Sequence, residues 1–206
     1  MNNKVIENVC LGLSSLFSPL LVPSYACSIG LLITPLTAIE ERWLSVVTVA
    51  VCLISAILPL TAICILIRYG KVSDILVTKR SERALPYAIS ILSFLLAAYY
   101  LWWMMEPRWM CLYFCGVAAI CFLEVIINIW WKISAHASIM GSLCAMLFYI
   151  TFNQMGIVRM LPWLSVVTIL SGIICSARLY LGRNTQLQVH SGFALGFVVA
   201  YIFLSL

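Results

Sequence analysis

WMCLYFCGVAAICFLEVIINIWWKISAHASIMGSLCAMLFYITF, residues 109 to 152, is two apolar runs joined by the short polar turn WKISAHAS at 131 to 138. Each run has roughly the 20 residues that an α-helix needs to cross the hydrocarbon core of a bilayer. Two such runs with a turn of this kind between them read as an antiparallel pair of transmembrane helices. That reading sets the class, an all-α polytopic transmembrane helix bundle. Outward from this pair, hydropathy windows place further spans near 9 to 33, 43 to 67, 86 to 105, 160 to 177 and 187 to 206, beside 109 to 131 and 135 to 152. The count is seven helices. It becomes six crossings if Pro19 and Pro23, which remove backbone donors, break the first segment into half-helices. The composition agrees, with 64% hydrophobic and 9% charged residues, where a soluble domain carries about 25% charged. Residues 1 to 206 therefore read as a single integral membrane domain. The first apolar stretch has no small-residue cleavage site and reads as a retained segment.

Three polar clusters interrupt the apolar chain: KRSERALP at 79 to 86, WKISAHAS at 131 to 138, and ARLYLGRNTQLQV at 177 to 189. Two spans separate each cluster from the next, so all three return to the same face of the membrane. Together they supply Arg83, Lys132, His136 and Arg178, donors suited to a phosphate at the membrane surface. On the seven-span reading that face carries nine of the 12 Lys and Arg residues, and only Arg42, Arg108 and Arg159 lie opposite. The positive-inside rule then turns the site toward the cytoplasm.

Glu124 falls inside a span, where an ionisable group is costly and marks a functional position by default. Asn128 and Lys132 follow at intervals of four, on one helix face. The expected arrangement is a supporting stripe in which Glu124 fixes Asn128 or Lys132 and Lys132 points at an anion; the plainer reading makes Lys132 an interfacial residue with its head in water. His136 opens the fifth span between Ser134 and Ser138, which can cap that helix. A helix start presents free amides and partial positive charge to an anion. The nine cysteines lie in or beside apolar stretches without a Cys-x-x-Cys pair and read as packing residues. Trp102, Trp103, Trp109, Trp130, Trp131 and Trp163 fall near span ends, as interfacial aromatics do. There is no metal-ligand cluster and no glycine-rich nucleotide loop in the sequence, so neither a metal nor another cofactor is expected, and no nucleic acid partner.

In this order the three clusters resemble the type-2 phosphatidic acid phosphatase superfamily of membrane lipid phosphatases. That pattern is a Lys, six residues, then Arg-Pro; later Pro-Ser-Gly-His; later Ser-Arg, five residues, His. SARLYLGRNTQLQVHSGFALG at 176 to 196 is the closest match, and ISAH at 133 to 136 keeps the second motif's serine and histidine. KRSERALP supplies Lys79, Arg83 and Pro86, but Leu85 precedes the proline. FSPLLVPSY at 17 to 25 resembles the start of a divergent bacterial branch typical of the Bacteroidetes.

The resemblance implies a bacterial inner-membrane protein that handles a lipid phosphate or diphosphate without a cofactor. Position by position, it implies that Arg178, Ser134 and Lys79 with Arg83 bind phosphate oxygens and that His136 is the general acid. The nucleophile position is Asn184, and an amide nitrogen cannot form the family's phosphohistidine. Gln188 stands where an acidic residue often orients the nucleophile. An engineered exchange and a natural loss of the chemistry both account for Asn184; rescue by His190 needs six residues of slippage. The expectations are thus a lipid phosphate phosphatase, or an inactive lipid-phosphate binder or transport component, against a scaffold whose cations only set topology. Candidate ligands are phospholipid and polyprenyl phosphates, including phosphatidic acid, phosphatidylglycerophosphate and lipid A precursors.

Overall fold

The computed structural model describes residues 3–33, 41–74, 77, 79–104, 107–155 and 157–206. Its helices are α1 Asn3–Leu16, α2 Val22–Ile33, α3 Glu41–Cys52, α4 Leu58–Arg68, α5 Ala84–Trp103, α6 Arg108–Trp130, α7 Ala135–Ile150, α8 Ile157–Tyr180 and α9 Gln186–Leu204. Six helical segments are long and apolar enough to cross a membrane: Ser45–Arg68, Ala84–Trp103, Arg108–Trp130, Ala135–Asn153, Met160–Tyr180 and Gln186–Leu204. The chain is an integral membrane protein built of helices.

The expected span at 9 to 33 is instead two helices, α1 and α2, with a bend at residues 17 to 21. Pro19 sits in that bend, and the Ser18 carbonyl closes it by accepting from the amides of Leu21 and Val22. Pro23 falls in the first turn of α2, where a missing amide costs nothing. The second expected span is one continuous rod, α3 and α4 joined through a single wide turn at Leu53–Ile57. Pro59 explains the widening: it has no amide to give Ser55, and its ring crowds that carbonyl. The other five spans match within a few residues. The expected end at residue 105 lies outside the described residues, as do the side chains of Arg42 and Arg159.

The helix pair that fixes the site is α7 against α9, packed with backbones almost in contact. A Cβ on Gly196 would stand 1.8 Å from the Ser138 carbonyl oxygen, and one on Gly141 would stand 2.2 Å from that of Phe193. Only glycine fits at either position. Gly192 and Gly196 have the four-residue spacing that lets membrane helices approach this closely. The core then fills with large side chains, among them Phe94, Tyr113, Phe114, Met140 and Met146. Trp109, expected at the interface, is buried against Gly30 instead, whereas Trp102, Trp103 and Trp130 are exposed at span ends.

Candidate functional site

The three polar clusters meet at one end of the bundle, tied to one another through backbone carbonyls. Arg80 reaches across from the first cluster to the carbonyls of Asn128 and Ile129, and Asn128 returns a bond from Nδ2 to the Arg80 carbonyl at 3.0 Å. Arg80 thus caps the free carbonyls at the end of α6. Nearby, the Ser73 amide and hydroxyl donate to Glu82 Oε2 at 2.6 and 2.7 Å. Those two bonds hold the Glu82 carboxyl below its usual pKa. Lys79, expected as a phosphate clamp, pairs with Glu82 at 3.2 Å and is 63% exposed. It is absent from the cavity wall among the described residues.

Arg83 turns inward from this loop. Its Nε donates to the Val77 carbonyl at 3.1 Å and its Nη1 to the Ile133 carbonyl at 3.2 Å, which joins the first cluster to the second. The second joins the third where Lys132 Nζ donates to the Arg183 carbonyl at 2.7 Å and the Ser134 amide to the Gln188 carbonyl at 3.3 Å. Burial, and behind it the guanidinium groups of Arg83, Arg178 and Arg183, pushes the Lys132 pKa down. Lys132 therefore shares the positive field of the site while its amine is held at the rim.

Between these ties lies a cavity of about 90 Å³ whose polar end is formed by Arg83, His136, Arg178 and Asn184. Arg83 is 8% exposed and Arg178 4%. Neither has a carboxylate in salt-bridge contact among the described residues. Buried cations without a contacting counter-ion are costly, and an anion taken from solution lowers that cost. Arg178 sits in the last turn of α8, where the helix dipole favours a cation, and its Nε donates to Asn184 Oδ1 at 3.3 Å. Asn184 Nδ2 donates to Gln188 Oε1 at 3.3 Å, and that oxygen also accepts from the Thr185 amide at 3.1 Å. Thr185 and Gln188 complete a capping box at the start of α9. The amide at the expected nucleophile position is thereby locked between an arginine and a helix cap.

His136, in the first turn of α7, sends Nε2 to the Ser14 carbonyl at 3.0 Å. A carbonyl only accepts, so Nε2 carries the proton. Ser134 occupies the cap position of α7 without a cap bond from its side chain, and its buried hydroxyl has no partner among the described residues. His190, the conceivable substitute nucleophile, is exposed on α9 and bonds to the Gln186 carbonyl of its own helix at 2.8 Å.

Comparison with protein-family models, characterised proteins and solved structures found no match. The chemistry rests on the atoms of the site.

The stripe expected from Glu124 through Asn128 to Lys132 does not act as one unit. Asn128 anchors the Arg80 loop and Lys132 serves the Arg183 carbonyl, while Glu124, 2% exposed, faces the hydroxyls of Ser138 and Tyr87 and the charge of Arg83. Helical spacing put the three on one face, but each meets a different neighbour along it. Tyr87 and the bend residues Ser18 to Leu20 also line the cavity; Pro19 stood out in the sequence only as a helix breaker, and Tyr87 did not stand out at all. Tyr87 was within reach of that reading, because it lies four residues after Arg83 and so on its face.

Proposed function

We propose that the chain binds the phosphate headgroup of a lipid at the membrane surface, on a bundle of the type-2 phosphatidic acid phosphatase kind. The carrying observation is the pair of buried arginines, Arg83 and Arg178, which face one cavity with no carboxylate in salt-bridge contact among the described residues. The first turn of α7 lines the same cavity through Ala135 and His136, and a helix start favours an anion. The excess of basic residues on this face favours the cytoplasmic leaflet of a bacterial inner membrane.

Binding without hydrolysis is the reading we adopt. The Asn184 amide nitrogen is not nucleophilic, because its lone pair is delocalised into the carbonyl, and its side chain's two bonds make it a positioning residue for the Arg178 guanidinium. His136 supports the same reading, because the nitrogen that carries its proton is spent on Ser14. The test is a titration of the detergent-solubilised chain with lipid phosphates, read by native mass spectrometry, beside an assay of phosphate release. The expected result is saturable binding with no release. Release by the unaltered chain overturns the binding-only reading; release by an Asn184→His chain alone identifies a phosphatase scaffold that lacks its nucleophile.

A further inference from the structure

The cavity is not a round anion pocket. Below Arg83 its wall follows one face of α5 through Pro86, Tyr87 and Ser90 to Phe94, with Ile63 of α4 beside them. Positions 83, 87, 90 and 94 recur at helical spacing, so the wall runs about three turns, or about 16 Å, along a helix that enters the membrane. Its outer end is cationic. Its inner end is apolar, because the Ser90 hydroxyl is committed to the Pro86 carbonyl at 2.9 Å and Phe94 is 1% exposed. A volume of about 90 Å³ along that wall makes a short track that takes the phosphate with the first few carbons of one chain, and it is too small for two chains side by side.

From this shape we infer that the site takes the phosphate monoester of a single unfunctionalised chain, an alkyl or isoprenyl phosphate, with its first carbons lying along α5. This rests on the phosphate-binding reading above and narrows it. A diacylglycerol phosphate presents two chains and ester carbonyls close to the phosphate. Those carbonyls would meet Pro86, Ile63 and Phe94 with no free donor among them and would lose their hydrogen bonds to water. A hydrocarbon chain loses nothing there and gains the burial of its own surface. Free phosphate would use the polar end alone.

The experiment is a competition on the full chain in detergent, with dodecyl phosphate, farnesyl phosphate, dioleoyl phosphatidic acid and inorganic phosphate as probes. Dodecyl and farnesyl phosphate should bind about tenfold or more tighter than either of the other two. A Ser90→Phe change, which fills the middle of the track, should reduce the ratio of dodecyl phosphate to inorganic phosphate affinity by about the same factor. The ranking by the unaltered chain decides the matter even if that variant does not fold. Equal affinity for inorganic and dodecyl phosphate, or tighter binding of phosphatidic acid, overturns the track and leaves the headgroup site standing. No binding of any probe overturns both.

Discussion

Two helical segments of this bundle are packed by opposite means. The span of α7 is 78% buried and meets α9 backbone to backbone, whereas the α3 to α4 rod is 28% buried and presents Val46, Val49, Leu53 and Ile57 outward. On the first, the space is so tight that only glycine fits; on the second, apolar side chains of several shapes face what a membrane supplies. Polar residues of the candidate site border the first kind of surface. His136, Ser134, Gln188 and Asn184 all lie at the ends of the glycine-packed pair, and the Ser134 amide bonds directly to Gln188 across it. The proposed anion site would need neighbours that cannot drift, and close helix packing provides them.

The largest expected effect comes from attacking that seam. Gly196→Leu sets side-chain atoms where the Ser138 carbonyl already stands, and a carbonyl in a helix cannot step aside. We expect a loss of about 4 kcal/mol or more, seen as failure to survive a thermal ramp in detergent by size-exclusion chromatography. Gly172→Leu on α8, where a new Cβ meets nothing within 4 Å, should melt within about 0.5 kcal/mol of the natural chain. Equal damage from the two would erase the contrast.

Arg178→Ala sharpens the comparison differently, because stability and function should move in opposite directions. Lipid phosphate binding should weaken about tenfold or more with the loss of a charge-assisted contact of about 1.5–3 kcal/mol. The empty protein should melt no lower than before, since a buried cation with no carboxylate in contact among the described residues has been removed. Thermal melts with and without ligand check both halves.

Lys132 gives a smaller, pH-dependent effect. Its pKa in the folded protein is held below the ordinary 10.5, so charged Lys132 detracts from stability at neutral pH, and that cost fades as the pH rises through the lowered value. A bound anion favours the charged form. Affinity should therefore fall as the pH rises, beginning below 10.5, and Lys132→Arg should move that fall to higher pH. A pH series of ligand titrations measures it. The smallest effect belongs to Lys79→Ala, which removes an exposed pair with Glu82 and should change binding less than about twofold.

Much of this architecture was legible from hydropathy alone, because a span must satisfy its backbone internally and cover its length with apolar side chains. The meeting of the three clusters followed from counting crossings. Arg83, His136, Arg178 and Asn184 do share one cavity. What could not be read was direction. Lys79 and Lys132 looked like anion ligands by charge and spacing, yet a nearby carboxylate holds one and a carbonyl the other. The Gly192 to Gly196 spacing was visible in the sequence, but its partner surface on α7 is a backbone carbonyl, which no side-chain pattern announces. The α1 contact to His136 was equally hidden, since it runs through the Ser14 carbonyl across 122 residues of chain.

The claim that Arg83 and Arg178 hold one anion between them is tested most directly by titrating dodecyl phosphate against Arg83→Ala, Arg178→Ala and the double variant, each shown to be folded. The account predicts a loss of about tenfold or more for each single change and no saturable binding by the double. Binding of natural strength by either single variant contradicts it.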